Sequence, residues 1–125
     1  MTATELLAAA RSIMRRDDAA TAGVWPRASA FLARQALEES LDDVWRHQAG
    51  TAELTDCPMR TQLLCARAYL DVDLAGRIAW TWAALSRACH HHSYELAPTA
   101  AELQRWMNDV ENLVRQVETS MSSEP

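Results

Sequence analysis

From Leu103 to Met121 the apolar residues recur at helical spacing: Leu103, Trp106, Met107, Val110, Leu113, Val114, Val117 and Met121. Steps of three and four place all of them on one side of a helix, whereas a strand would divide them between two faces. The same period governs the rest of the chain, and no apolar–polar alternation of strand type interrupts it. The sequence therefore predicts helices packed by their stripes.

Thr2-x-x-Glu5 is a capping box, and Leu6, Leu7, Ala10, Ile13 and Met14 line one face of a first helix over about residues 3–16. Residues 17–24 read as a loop broken at Gly23. Pro26 suits the first turn of a second helix that continues to about residue 48, with Ala30, Ala33, Leu37, Leu41, Val44 and Trp45 in its core stripe. Residues 49–56, with Gly50 and Thr55, read as a second loop. Pro58 reopens a helix whose inner face carries Met59, Leu63, Ala66 and Leu70. Asp71 or Asp73 then caps a fourth helix over roughly residues 74–90. Pro98 ends the next turn by disfavouring helix at Ala97, and Thr99-x-x-Glu102 boxes the start of a fifth helix running to about residue 120. The expectation is an all-α, five-helix up-and-down bundle forming one domain over residues 1–125.

The fourth helix has two apolar sides. Leu74, Ile78, Thr81, Trp82, Leu85 and Cys89 form its core stripe, while Gly76, Trp80, Ala83 and Arg87 cluster within roughly 60° on the other side, at about 100° per residue. Either a neighbouring helix of the same bundle covers that second face, or it is the seam of a homodimer.

The net charge of -5 argues against indiscriminate nucleic-acid binding, which needs a broad basic surface, but leaves room for one local basic cleft. All 12 basic residues are arginine. Cys57, Cys65 and Cys89 are an odd, irregular set that does not read as a disulfide framework. With no apolar run of membrane-spanning length and no signal-peptide pattern, the expectation is a cytoplasmic protein without a membrane partner.

Chemistry gathers where the fourth helix ends: Arg87, His90, His91, His92 and Tyr94. A guanidinium offers a fork of donors to phosphate oxygens, and imidazole trades protons near neutral pH. Such a pair suits RNA cleavage without a metal. The histidine would deprotonate the ribose 2′-hydroxyl or protonate the leaving oxygen, and the arginine would stabilise charge building on phosphorus. Two copies across a two-fold axis would supply both an acid and a base. Other chemistries find less in the sequence. A metal site would have to join Cys89 and His92 to Cys57 or His47 without a Cys-x2-Cys or His-x3-His pair. Ser86 lacks a nucleophile elbow, Cys89 faces the predicted core, and no glycine-rich phosphate loop exists. No cofactor is expected. The histidines have a structural reading as well, since they would cap carbonyls at the negative end of the helix dipole.

The run from Arg87 to Tyr94 resembles the Arg-x4-His-x-Tyr pattern of HEPN domains, especially the toxins paired with minimal nucleotidyltransferases. The resemblance implies a HEPN-like helical bundle and a homodimeric, metal-independent endoribonuclease, a toxin or defence effector, with its motif lining the dimer cleft. Arg87 and His92 would be the catalytic pair, with His91 or His90 assisting. The seam would run through Gly76, Trp80, Ala83 and Arg87. Tyr94 would be the position that a nucleotidyltransferase antitoxin modifies with AMP. Active members usually carry a polar residue after the arginine, where this chain has Ala88. That difference and the acidic charge favour a second reading, an inactive HEPN-like bundle that dimerises or binds a protein partner.

Overall fold

The computed structural model describes residues 1–16, 25–48, 50–90 and 97–122. Within them the fold is an all-α bundle of five helices with no strand: α1 (Ala3–Arg15), α2 (Trp25–His47), α3 (Met59–Ala66), α4 (Val72–Cys89) and α5 (Ala100–Ser122).

Local chemistry sets the helix starts. At α1 the Glu5 amide donates to Thr2 Oγ1 at 3.1 Å, and the Thr2 amide donates to Glu5 Oε1 at 3.3 Å. At α5 the Glu102 amide donates to Thr99 Oγ1 at 3.1 Å and the Thr99 amide returns a bond to Glu102 Oε1 at 3.0 Å. These reciprocal bonds satisfy amides that a helix end leaves without partners. Of the two aspartates that could open α4, Asp71 is the cap, accepting from the Leu74 amide at 3.1 Å. The helix therefore starts two residues before the predicted position.

Side-chain contacts fix the directions. Thr4 bonds to Glu118, and Arg11 to Asn108 and Glu111, so α1 and α5 run antiparallel. Arg34 reaches Ser86 and Trp82 reaches Glu38, so α2 and α4 run antiparallel as well. Ser29 bonds the Ala10 carbonyl while Leu6 shares a groove with Gln35 and Asp42, which sets α1 against α2 in the same sense. The four long helices thus go up, down, up and down, with α2 packed against the other three.

Alanines are prominent in the core. Ala10, Ala30, Ala33 and Ala36 are fully buried, and their small side chains let helix axes approach. Larger groups fill the middle: Leu37, Leu41, Trp45, Ile78, Leu85, Leu103, Met107, Val110 and Leu113. Burying a side chain of this size contributes about 1.5–3 kcal/mol of transfer free energy.

The five helices do not contribute equally to the bundle. α3 is a short side helix on α4, attached through the buried Trp45. The Trp45 indole N–H donates to Gln62 Oε1 at 2.9 Å, Gln62 Nε2 donates to the Cys57 carbonyl at 2.8 Å, and the Tyr69 ring meets the indole edge-on. The predicted helix through Leu70 stops at Ala66, because the chain has to turn and bring Tyr69 back to Trp45 before Asp71 opens α4. The predicted loop at 49–56 contains a 3₁₀ turn, Ala52–Asp56, entered through Gly50 at a φ of 81° that favours glycine. Met121, predicted to lie in the core stripe, is 42% exposed. Thr4, near the start of α1, already sits opposite Glu118, so Met121 projects past its neighbour. The predicted loop at residues 17–24, including Gly23, lies outside the described residues.

Candidate functional site

The last turn of α4 carries the residues singled out by the sequence. Arg87 is exposed there, and Ala88 and Cys89 turn inward. His90 caps the helix, exposed, with its amide donating to the Arg87 carbonyl at 3.1 Å. His91, His92 and Tyr94 lie outside the described residues.

Among the described residues, no helix covers the second face of α4. Gly76, Ala83 and Arg87 are exposed, and Trp80 is 57% exposed. A Cβ built on Gly76 would meet no atom within 4 Å. Beside this face, Val72, Asp73, Gly76, Arg77, Trp80 and Asp109 line a groove of about 360 Å³ between α4 and α5. The Thr81 hydroxyl donates to Asp109 Oδ2 at 3.1 Å, joining the wall of the groove to the buried side of α4.

On the flank toward α2 lies a polar bridge that the sequence did not single out. Arg34 donates from a terminal nitrogen to Ser86 Oγ at 3.4 Å, and its Nε stands 3.7 Å from Glu38 Oε1, an ion pair too long for a hydrogen bond. Glu38 in turn accepts from the Trp82 indole at 3.1 Å. Trp82, predicted to be core, is therefore only partly buried, because its N–H reaches the edge of the interface. Arg34 also sits over Phe31, its guanidinium carbon 5.8 Å from the ring centre. The signal was available in the spacing of Arg27, Phe31 and Arg34 at i, i+4 and i+7, on the flank of the α2 core stripe.

Burial pushes the Cys89 thiol up from its ordinary range, while Arg34 and Arg27 pull it down. Glu38, beside Arg34, acts on the thiol in the opposite sense to the two arginines. A thiol held inward and kept protonated makes a poor nucleophile or metal ligand. Among the described residues, no three histidine, cysteine or carboxylate side chains cluster as metal ligands, and no helix is long and apolar enough to cross a membrane. The three cysteines are free thiols.

No family model, curated protein or solved structure matches the chain.

Proposed function

We propose that the chain is a homodimeric, metal-independent endoribonuclease of the HEPN type, a toxin or defence effector. The observation that carries this reading is the bare edge of α4, where Gly76, Trp80 and Ala83 lead to Arg87 at the helix end. An edge with an exposed indole among small residues suits a second copy, and a two-fold axis near its C-terminal end would bring two Arg87–His92 pairs to one cleft.

In that cleft one His92 takes the proton of the ribose 2′-hydroxyl as its oxygen attacks phosphorus. The second His92 gives a proton to the departing 5′-oxygen as the phosphorus–oxygen bond breaks. Arg87 stabilises the negative charge on the phosphoryl oxygens between these events, and His91 assists the proton transfers. The products are a 2′,3′-cyclic phosphate and a 5′-hydroxyl. Tyr94, two residues beyond His92, is the acceptor through which a nucleotidyltransferase antitoxin silences the enzyme.

A second reading, an inactive bundle that binds a partner through the same edge, draws on Ala88. That side chain is 5% exposed and packs inward, where active relatives of this motif usually carry a polar group. One experiment separates the two. Mixed RNA is incubated in EDTA with wild type, Arg87→Ala and His92→Ala, and the ends are identified. The ribonuclease reading expects cyclic-phosphate ends from wild type and a loss of about 100- to 10,000-fold in His92→Ala. Wild type that cleaves no RNA would leave the binding module.

A further inference from the structure

The α2 ridge of Arg27, Phe31 and Arg34 adjoins the C-terminal end of α4 and supplies what a cleavage pair alone lacks, a means of holding a strand. At about 100° per residue these three side chains fall within roughly 60° of one another. Arg27 and Phe31 are exposed, Phe31 by 43%, and Arg34 leans over the Phe31 ring. Across the interface Arg34 bonds Ser86. Going round α4 from Ser86, roughly 40° brings His90 and a further 60° brings Arg87. Phe31 and Ser86 thus flank Arg34 in direct contact, and His90 and Arg87 follow Ser86 around the end of α4.

We propose that these residues form a binding track for single-stranded nucleic acid, with a base stacked on Phe31 and successive phosphates held by Arg27, Arg34 and Arg87. An exposed aromatic ring between arginines is what a flexible strand with alternating flat bases and phosphates requires. Glu38 does not close the track. Its carboxylate is engaged with the Trp82 indole and the Nε side of Arg34, holding the guanidinium toward Ser86. The rest of the exposed α2 face is unsuited to a polyanion, because Glu38, Glu39, Asp42 and Asp43 crowd its C-terminal half with Arg46 among them. The track thus has a direction, from the Arg87 edge toward the start of α2. It deepens the ribonuclease reading by making the substrate a single strand, and rests on that reading only for the identity of the strand as RNA.

The test uses the full chain and a fluorescent oligothymidylate of about 12 nucleotides, within the length one such surface spans. Lacking a 2′-hydroxyl, the probe reports binding without cleavage. Wild type is expected to bind with an affinity that falls with salt. Phe31→Ala should weaken binding about tenfold or more through lost stacking. Arg27→Gln should flatten the slope of log affinity against log salt by about 0.7, one phosphate contact. Both side chains are exposed, and thermal melting of each variant checks the fold. Arg34→Gln is a supporting variant, since Arg34 also braces Ser86 and Glu38, and Arg27→Gln counts only where its melting temperature matches wild type.

Unchanged binding in both variants, or no salt-dependent binding by wild type, overturns the track. So does equal binding of poly-glutamate that Phe31→Ala leaves intact, which would make the ridge a dock for an acidic protein. RNA cleavage is scored separately. Cleavage lost in Arg87→Ala beside unaltered oligothymidylate binding in the ridge variants removes the track and keeps the ribonuclease. Impaired binding in the ridge variants of a chain that cuts no RNA does the reverse.

Discussion

α4 and α5 are both long, both antiparallel to a neighbour and both buried along one stripe, yet their outward faces differ. α5 turns Asn108, Glu111 and Glu118 toward Thr4 and Arg11 of α1, and Glu111 also pairs with Arg115 on its own helix. Its tryptophan, Trp106, is in the core at 6% exposure. α4 keeps a tryptophan outside at 57% and surrounds it with Gly76 and Ala83. One stripe is enough to hold a helix in a bundle. Among the described residues the second apolar side of α4 therefore adds nothing to the core. α5 is a wall of the fold, and α4 is both wall and edge.

The contrast is broken most sharply by emptying one site on each helix. Leu113→Ala removes a fully buried side chain from α5 and should cost about 2–5 kcal/mol, part transfer free energy and part cavity. Trp80→Ala removes a larger side chain from α4 but should change the stability of the dissociated chain by about 0.5 kcal/mol or less, as exposed positions do. Urea unfolding at low protein concentration measures both. A Trp80→Ala loss as large as that of Leu113→Ala would mean that the α4 edge belongs to the core after all.

The edge itself is probed by Ala83→Arg. Light scattering should find the wild type as a dimer and the variant as a monomer, a change of at least about tenfold in the dissociation constant, or about 1.4 kcal/mol. An unchanged mass would remove the seam from Ala83 and with it the shared cleft of the ribonuclease reading.

The parts of this arrangement that were legible in the sequence are those that local chemistry decides. Thr2 with Glu5 and Thr99 with Glu102 announce helix starts within four residues, and the stripes of α2 and α5 announce which faces go inward. The second apolar side of α4, with Gly76, Trp80, Ala83 and Arg87, could be read from the period, but whether a neighbouring helix would cover it could not, and the structure leaves these four residues exposed. The register between helices was not legible either. Nothing near Arg34 in sequence says that Ser86 will lie opposite it, and nothing near Glu38 points to Trp82. Those pairs follow from the register of the whole of α2 against α4, which no short stretch of sequence sets. For the same reason Met121 was misplaced: its period fits the stripe, but only the tertiary register shows where α1 ends beside it.

The smallest effect separates the two helices by how they begin. α4 starts on Asp71 alone, whereas α5 starts on a box in which bonds from the Thr99 backbone and hydroxyl hold the Glu102 carboxyl below its ordinary value of 4.5. A carboxyl whose folded pKa is lowered stabilises the fold above its unfolded value and loses that contribution as pH falls through the folded one. Glu5 at the start of α1 carries the same sign. Asp42 and Asp43 carry the opposite sign, since burial holds both above their ordinary value of 3.8 and protonation relieves that cost. The acid limb of wild-type stability is a sum of opposed terms and does not report the box by itself. The difference between wild type and Glu102→Ala does. It should favour wild type at neutral pH and shrink steadily as pH drops below about 4.5, where the unfolded carboxyl begins to bind its proton. A gap in urea midpoint that stays constant down through this range would assign the role of Glu102 to helix propensity, leaving the charge of the box with no part in holding the start of α5.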